Sequence, residues 1–322
     1  MTRREVFEKL IITSATAVGA GCGTKRVSPA VARRSPPLRF APVYVSADRI
    51  TRTTVGLRPF RPSGFVLKAE KLDPSDTAVL RNLMTISFNM HKWDDAIQYA
   101  QKVSSNPSSA YIIGRSQYEL ENYGEAVKQL TLAEKVDPRN AEIHYYLARS
   151  YMDQSNYKQS AAAFERAITI DTTHAQWVYE TSLAFYAVPD YNKSLQYMLL
   201  AGTRGLPRSN DYLENLANVF VRTNQHPEAI KLFKEVLIKK PTDQEIIYQL
   251  AQSYYLTKQY DDAIINWNKI LTNDSSNAQA MYMMGLSYQK KGDMTKGTQL
   301  CEQAIKIDPS LKNYRQEKQQ AF

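Results

Sequence analysis

Residues 107–140, PSSAYIIGRSQYELENYGEAVKQLTLAEKVDPRN, contain the pattern that predicts the fold. Two helix-favouring runs of about a dozen residues each can fold back on one another as an antiparallel pair. Gly114 in the first run and Ala126 in the second are small, so the two helix axes can approach closely while Leu130 fills a neighbouring gap. Pro138 ends the second run because proline has no backbone N–H and restricts the residue before it. The stretch therefore predicts a helical hairpin.

The same pattern recurs along the chain. Residues equivalent to Ala126 follow one another at separations of 30, 34, 34, 35, 34 and 34: Ala96, Ala126, Ser160, Ser194, Ala229, Ala263 and Gly297. We number these residues as position 20 of each repeat, so that Pro107 is position 1 of the second repeat. Position 8 then holds a small residue in every repeat except the first, which has Met84. One hairpin cannot bury its apolar face alone, so neighbouring hairpins must stack. We therefore predict an all-α solenoid of seven hairpins over residues 73–310, with a capping helix over residues 311–322.

A period of about 34 residues with small residues at these positions resembles the tetratricopeptide repeat. The resemblance implies a helical-hairpin solenoid that acts as a non-catalytic scaffold for a protein or peptide partner. The first repeat is about four residues shorter before Pro107, which is typical of a truncated end repeat.

Candidate partner-binding residues lie at positions 5, 9 and 12 of the first helix of each repeat. These positions form one stripe, which stacking would place along the concave surface. Tyrosine offers wide apolar contact and a hydroxyl group, and arginine could hold a carboxylate of the partner. Alternatively, the same tyrosines pack between adjacent repeats, and the sequence leaves both interpretations open. The candidates are Tyr111, Tyr118, Tyr145, Tyr179, Tyr186, Tyr248, Tyr255, Tyr282, Arg115 and Arg149.

Charge is distributed unevenly along the 322 residues, which carry a net charge of +9. Residues 1–70 contain 13 Lys and Arg against 4 Asp and Glu, whereas the remaining residues contain 28 of each class. A neutral repeat region argues against a nucleic-acid partner. The four histidines lie in separate repeats without the spacing of metal ligands. We therefore predict no catalytic site, no metal site and no cofactor.

Residues 1–22 have the layout of an export signal, with Arg3 and Arg4 ahead of an uncharged stretch that ends at Gly21. The paired arginines resemble a twin-arginine signal. The small residues before Cys22 resemble a bacterial lipoprotein box, which implies that Cys22 is a candidate lipidation site and the only membrane attachment. Alternatively, Cys22 is incidental to cleavage. A genuine signal predicts an exported, periplasmic or envelope-anchored protein, and without one the protein would be cytoplasmic.

Residues 23–42 are rich in Pro and Arg, which predicts a flexible linker. Residues 43–72 change character, with short alternating apolar runs that favour strands. Within them, residues 54–64, TVGLRPFRPSG, resemble the start of the D-amino-acid-oxidase-like FAD-dependent oxidoreductases. That resemblance implies that Arg58 or Arg61 holds a substrate carboxylate, and it makes an FAD-dependent amino-acid or amine oxidoreductase the alternative function. No nucleotide-binding glycine loop follows Leu72, so we interpret this segment as part of a fusion.

Overall fold

The computed structural model of the protein describes residues 76–103 and 107–312. Within these ranges the chain forms fourteen helices paired as seven hairpins, which confirms the predicted all-α solenoid. The helices are α1 Thr77–Asn89, α2 Trp93–Lys102, α3 Pro107–Glu119, α4 Tyr123–Val136, α5 Ala141–Asp153, α6 Tyr157–Ile170, α7 Ala175–Ala187, α8 Tyr191–Thr203, α9 Asn210–Arg222, α10 His226–Lys239, α11 Gln244–Leu256, α12 Tyr260–Asn273, α13 Ala278–Lys291 and α14 Met294–Ile307.

Several predicted segments lie outside the described residues. These are the export signal with Cys22, the linker, the oxidoreductase-like residues 43–72 with Arg58 and Arg61, and residues 313–322 of the capping helix. Leu311, at the start of that capping segment, is described and is buried against the last hairpin beside Tyr282 and Cys301.

The first helix of most hairpins begins at a residue whose side chain accepts a backbone N–H. Asp76 accepts from Ala78 at 2.8 Å and Asn277 accepts from Ala280 at 2.9 Å. Such caps satisfy N–H groups that have no partner inside the helix. In these hairpins the polar residue ahead of the first helix therefore marks where that helix starts. The other side-chain caps of first helices are Asn140, Ser209 and Asp243.

Close contact between the two helices of a hairpin depends on the small residues at positions 8 and 20. Gly285 is the clearest case, because an added Cβ atom would lie 2.7 Å from Cys301 Sγ and 2.8 Å from the carbonyl oxygen of Gly297. At position 20, Ala126, Ser160 and Ala263 are fully buried. The predicted packing role of these positions is confirmed, and the resulting apolar core runs without a break from hairpin 2 to hairpin 7.

Each hairpin turns at position 15, where the backbone has positive φ. Only Gly292, with φ of 109°, is a glycine, although glycine adopts this conformation most readily. A proline ring holds φ near about −65°, so Pro189, with φ of 32°, is the residue least suited to this position. The other position-15 residues are His91, Glu121, Ser155, Asn224 and Lys258.

Candidate functional site

The first helices of neighbouring hairpins contact one another through side chains. The Tyr111 hydroxyl on α3 donates to the Glu142 carboxylate on α5, and the Tyr145 hydroxyl on α5 donates to Glu180 Oε1 on α7 at 3.3 Å. We call the surface formed by α1, α3, α5, α7, α9, α11 and α13 the inner face. The predicted stripe of positions 5, 9 and 12 lies on these helices, and the two contacts link its position-5 tyrosines from hairpin 2 to hairpin 4.

Tyr145 lies at the centre of the contact between hairpins 3 and 4. Its ring stacks on Trp177 with centroids 4.5 Å apart and planes inclined by 14°. Only 7% of the residue is exposed. Burial, followed by the charge of Glu180, raises the pKa of the Tyr145 hydroxyl. Tyr145 is therefore a packing residue between these hairpins.

Arg149 is held by the same group of side chains. Its guanidinium carbon lies 5.2 Å from the ring centroid of Tyr118 and 5.8 Å from that of Tyr145. Arg149 Nε is 3.9 Å from Glu180 Oε2, and Gln176 Nε2 donates to Glu180 Oε1 at 3.1 Å. Burial raises the pKa of Glu180, and the charge of Arg149 opposes that effect. Arg149 thus compensates a buried carboxylate of its own chain.

Arg115 occupies the equivalent place between hairpins 2 and 3. Its guanidinium carbon lies 4.6 Å from the Tyr146 ring centroid and 5.1 Å from that of Phe88. Arg115 Nη1 donates to the Tyr111 hydroxyl at 3.3 Å and lies 3.8 Å from Glu142 Oε2. Both arginines that the sequence offered as a carboxylate clamp are therefore engaged with aromatic rings and acids of this chain.

The remaining predicted tyrosines divide into two groups by exposure. Tyr118, Tyr179 and Tyr282 are buried, with 9%, 8% and 1% of each residue exposed. Asn215 Nδ2 donates to the Tyr179 hydroxyl at 2.5 Å, and burial raises the pKa of Tyr179 to about 12. In contrast, Tyr248 and Tyr255 are half-buried, and their rings lie 4.9 Å from that of Trp267 and 5.8 Å from that of Tyr260, respectively. The partner-contact role of the predicted set stays a prediction.

Tyr186 is also half-buried, and it joins α7 to α9. Arg222 Nε donates to its hydroxyl at 3.2 Å. As at Tyr111 and Tyr145, an arginine donates to an inner-face tyrosine. Here the arginine lies at the end of α9, the first helix of the next hairpin. Arg222 is thereby directed towards α7.

The inner face of hairpins 5 and 6 also carries carboxylate and amide side chains, which the predicted set of tyrosines and arginines does not include. Lys240 Nζ lies 3.5 Å from Glu214 Oε2, and Gln249 Nε2 donates to Glu245 Oε1 at 3.0 Å. The repeat register could have identified Glu214, Asn218 and Gln252, since they occupy positions 5 and 9, which hold tyrosine and arginine in hairpins 2 and 3. The half-buried members of this set are Asp211, Glu214, Asn218, Glu245, Gln249 and Gln252.

The described ranges contain neither a group of side chains suited to a metal ion nor a membrane-spanning helix. No group of three or more His, Cys, Asp or Glu side chains within residues 76–103 and 107–312 is arranged to hold a metal ion. No helix in these ranges is both long and apolar enough to cross a membrane.

Comparisons with known families agree with the helical geometry. Models of the tetratricopeptide repeat match residues 221–265 and residues 278–311. A model of subunit 3 of the anaphase-promoting complex, or cyclosome, matches residues 73–167. The described part of the chain thus has the helical-hairpin solenoid fold of tetratricopeptide-repeat proteins. Neither these models nor the similar structures support the oxidoreductase resemblance of residues 43–72.

Solved structures resemble the tetratricopeptide-repeat solenoid at low sequence identity. The C-terminal part of a repeat protein from Cytophaga hutchinsonii has a TM-score of 0.51 and 16% identity, covering 71% of this chain and 95% of that one. YrrB, described as a TPR protein with an unusual peptide-binding site, has a TM-score of 0.49 and 20% identity, covering 57% and 94%. A repeat protein from Parabacteroides merdae has a TM-score of 0.46 and 14% identity, covering 72% and 93%. No curated protein matches the sequence.

Proposed function

We propose that this solenoid is a non-catalytic scaffold that binds an extended segment of a partner protein along its inner face. The tetratricopeptide-repeat fold is typical of protein–protein interaction scaffolds. The observation that carries the proposal is the half-buried row on α9 and α11. Asn218, Tyr248 and Gln252 stand at stripe positions 9 and 5 of these helices and are half-buried, so part of each side chain is accessible to a partner.

Amide side chains in this row favour an extended partner over a helical one. Asn218 and Gln252, both at position 9, each carry hydrogen-bond donors and an acceptor. An extended segment offers free backbone N–H and C=O groups, whereas a helix satisfies most of its own. Tyr248 and Tyr255 would add apolar ring contact at little cost in side-chain entropy. The row therefore suits recognition of main-chain groups together with side chains.

Selection of random dodecapeptides displayed on phage against the immobilised full chain tests the proposal. We expect enriched peptides whose binding is lost when bulky side chains fill the row, in the variants Asn218→Trp and Gln252→Trp. Glu302→Trp on the exposed side of α14 is the matched control and should bind normally. Circular dichroism should be unchanged in all three. Failure to enrich any peptide, or full binding by the filled variants, would contradict the proposal.

Export and lipid anchoring are a separate proposal, supported only by the N-terminal sequence. If the export signal and the lipoprotein box are both genuine, the protein made in its natural host should begin at Cys22 and carry a diacyl group on that thiol. Mass spectrometry of the mature N-terminus measures both features. An unmodified chain that still begins at Met1 would contradict export as well as anchoring.

A further inference from the structure

Equivalent positions hold different residues at two hairpin contacts of the inner face. Between hairpins 2 and 3, position 5, position 9 and position 2 of the following repeat are Tyr111, Arg115 and Glu142, which contact one another. The repeat register places Glu214, Asn218 and Glu245 at the same three positions between hairpins 5 and 6. Between hairpins 5 and 6, carboxylates thus occupy position 5 and the following position 2. At position 9, Asn218 stands in place of Arg115.

The contact between hairpins 4 and 5 adds to this difference. Position 9 is Leu183 there, and position 2 of the following repeat is the half-buried Asp211. With Glu214 and Glu245, three carboxylates lie on this part of the inner face, and Lys240 is paired with one of them at 3.5 Å. The nearby arginine of α9, Arg222, donates to Tyr186 on α7. Three carboxylates thus stand against two cations, Lys240 and Arg222, and Arg222 is directed towards α7, so the acids are in excess beside α9 and α11.

The chain itself shows how these positions bind a cation. Arg115 is held by a phenol hydroxyl, a carboxylate and two aromatic rings. On the inner face of hairpins 5 and 6, carboxylates stand at two of these positions, and the next position 5 provides the half-buried ring of Tyr248. Carboxylates and aromatic faces together recognise ammonium and guanidinium groups. The described acids form no group suited to a metal ion, so an organic cation is the occupant that this chemistry favours.

We infer that the inner face at α9 and α11 binds a lysine or arginine side chain of the partner segment, in the place that Arg115 fills between hairpins 2 and 3. The inference rests on the proposed function and specifies its partner as a basic extended segment. Complementary charge would also orient the segment and speed its association. Binding should weaken as ionic strength rises, since the acids are only half-buried.

Peptide selection on the full chain can separate this inference from the proposed function. We expect the dodecapeptides that it enriches to be rich in lysine and arginine. Replacing the acids together, in the variant Asp211→Asn, Glu214→Gln, Glu245→Gln, should raise the Kd of a selected basic peptide about tenfold, as expected for several partly exposed ion pairs. Fluorescence polarisation of a labelled peptide gives the Kd.

A matched control removes the same number of charges from exposed sites on second helices. The variant Asp95→Asn, Asp262→Asn, Glu302→Gln should leave the Kd within about twofold, since distant exposed charges are screened. Enrichment of neutral or acidic peptides that still require Asn218 and Gln252 would overturn the inference and keep the proposed function. Equal loss in both triple variants would also overturn it. Enrichment of no peptide at all would overturn both.

Discussion

The inner face of hairpins 2 to 4 and that of hairpins 5 and 6 use the same repeat positions in different ways. On hairpins 2 to 4, the earlier section, Tyr145 and Arg149 contact other side chains of the chain around the buried carboxylate of Glu180. In the later section, Tyr248 and Gln252 occupy the same positions and remain half-buried. A repeat fold thus determines which positions the side chains occupy, while the residue types decide how strongly those side chains contact the neighbouring hairpin.

The largest effect that separates the two sections should come from their position-5 tyrosines. Tyr145→Ala removes a buried ring that stacks on Trp177, and we expect it to cost about 3 to 4 kcal/mol of unfolding free energy. Tyr248→Ala removes a half-buried ring and should cost about 1 kcal/mol. Urea unfolding followed by circular dichroism measures both. Equal costs would show that the two sections do not differ in packing.

Position 9 provides the next comparison. Arg149→Met leaves Glu180 buried without its cation, and we expect a loss of about 3 kcal/mol. The matched change Gln252→Met leaves no buried charge and should alter stability by less than about 0.5 kcal/mol. Hydrogen exchange should show faster opening of α5 and α7 in the first variant, because local stability is not uniform along a stacked array. Unchanged exchange in those helices would contradict an internal role for Arg149.

Acidity should change the stability of the earlier section more than that of the later one. Burial raises the pKa values of both Glu180 and Asp153, with the charge of Arg149 opposing the effect on each. A carboxyl group with a raised pKa favours the folded state below its unfolded pKa, about 4.3 for Glu. That contribution is lost as pH rises through the folded pKa.

Glu180→Gln removes one of these titrations. We therefore expect the variant to gain stability relative to the unmodified protein as pH rises from about 4 to neutrality. Thermal unfolding across this range gives the difference. Glu245→Gln, in the half-buried row, is the control and should show a flatter profile. A gain at acidic pH that vanishes at neutral pH would reverse the assigned sign.

The smallest effect concerns the turns, where the two sections should behave alike. Ser155 and Lys258 both stand at position 15, with φ of 59° and 62°. Ser155→Gly and Lys258→Gly should each stabilise the chain by about 0.5 to 1 kcal/mol, because glycine adopts this conformation without strain. Gly292→Ala should destabilise it by a similar amount. Differential scanning calorimetry measures these shifts, and opposite signs for the two glycine variants would break the equivalence of the turns.

Most of the fold was predictable from the sequence because the repeat makes each local signal recur. Small residues at positions 8 and 20 permit only close helix pairing, and Gly285 and Gly297 confirm that reading by their lack of space for a Cβ atom. Helix starts are also marked locally, by capping residues such as Asp243, which accepts from the Ile246 N–H at 3.3 Å. These features depend on neighbours within one hairpin, so a single repeat is enough to recognise them.

How far each side chain of the candidate site is exposed depends instead on the residues of the following hairpin. Tyr145 and Tyr248 share position 5, but position 3 of the next repeat is Trp177 in the first case and Ala280 in the second. The indole stacks over Tyr145 and buries it, whereas a methyl group is too small to cover a phenol ring. The sequence by itself determined seven hairpins and the stripe of aligned positions. Only the tertiary structure decided which members of that stripe are covered, because burial is set by side chains from an adjacent repeat.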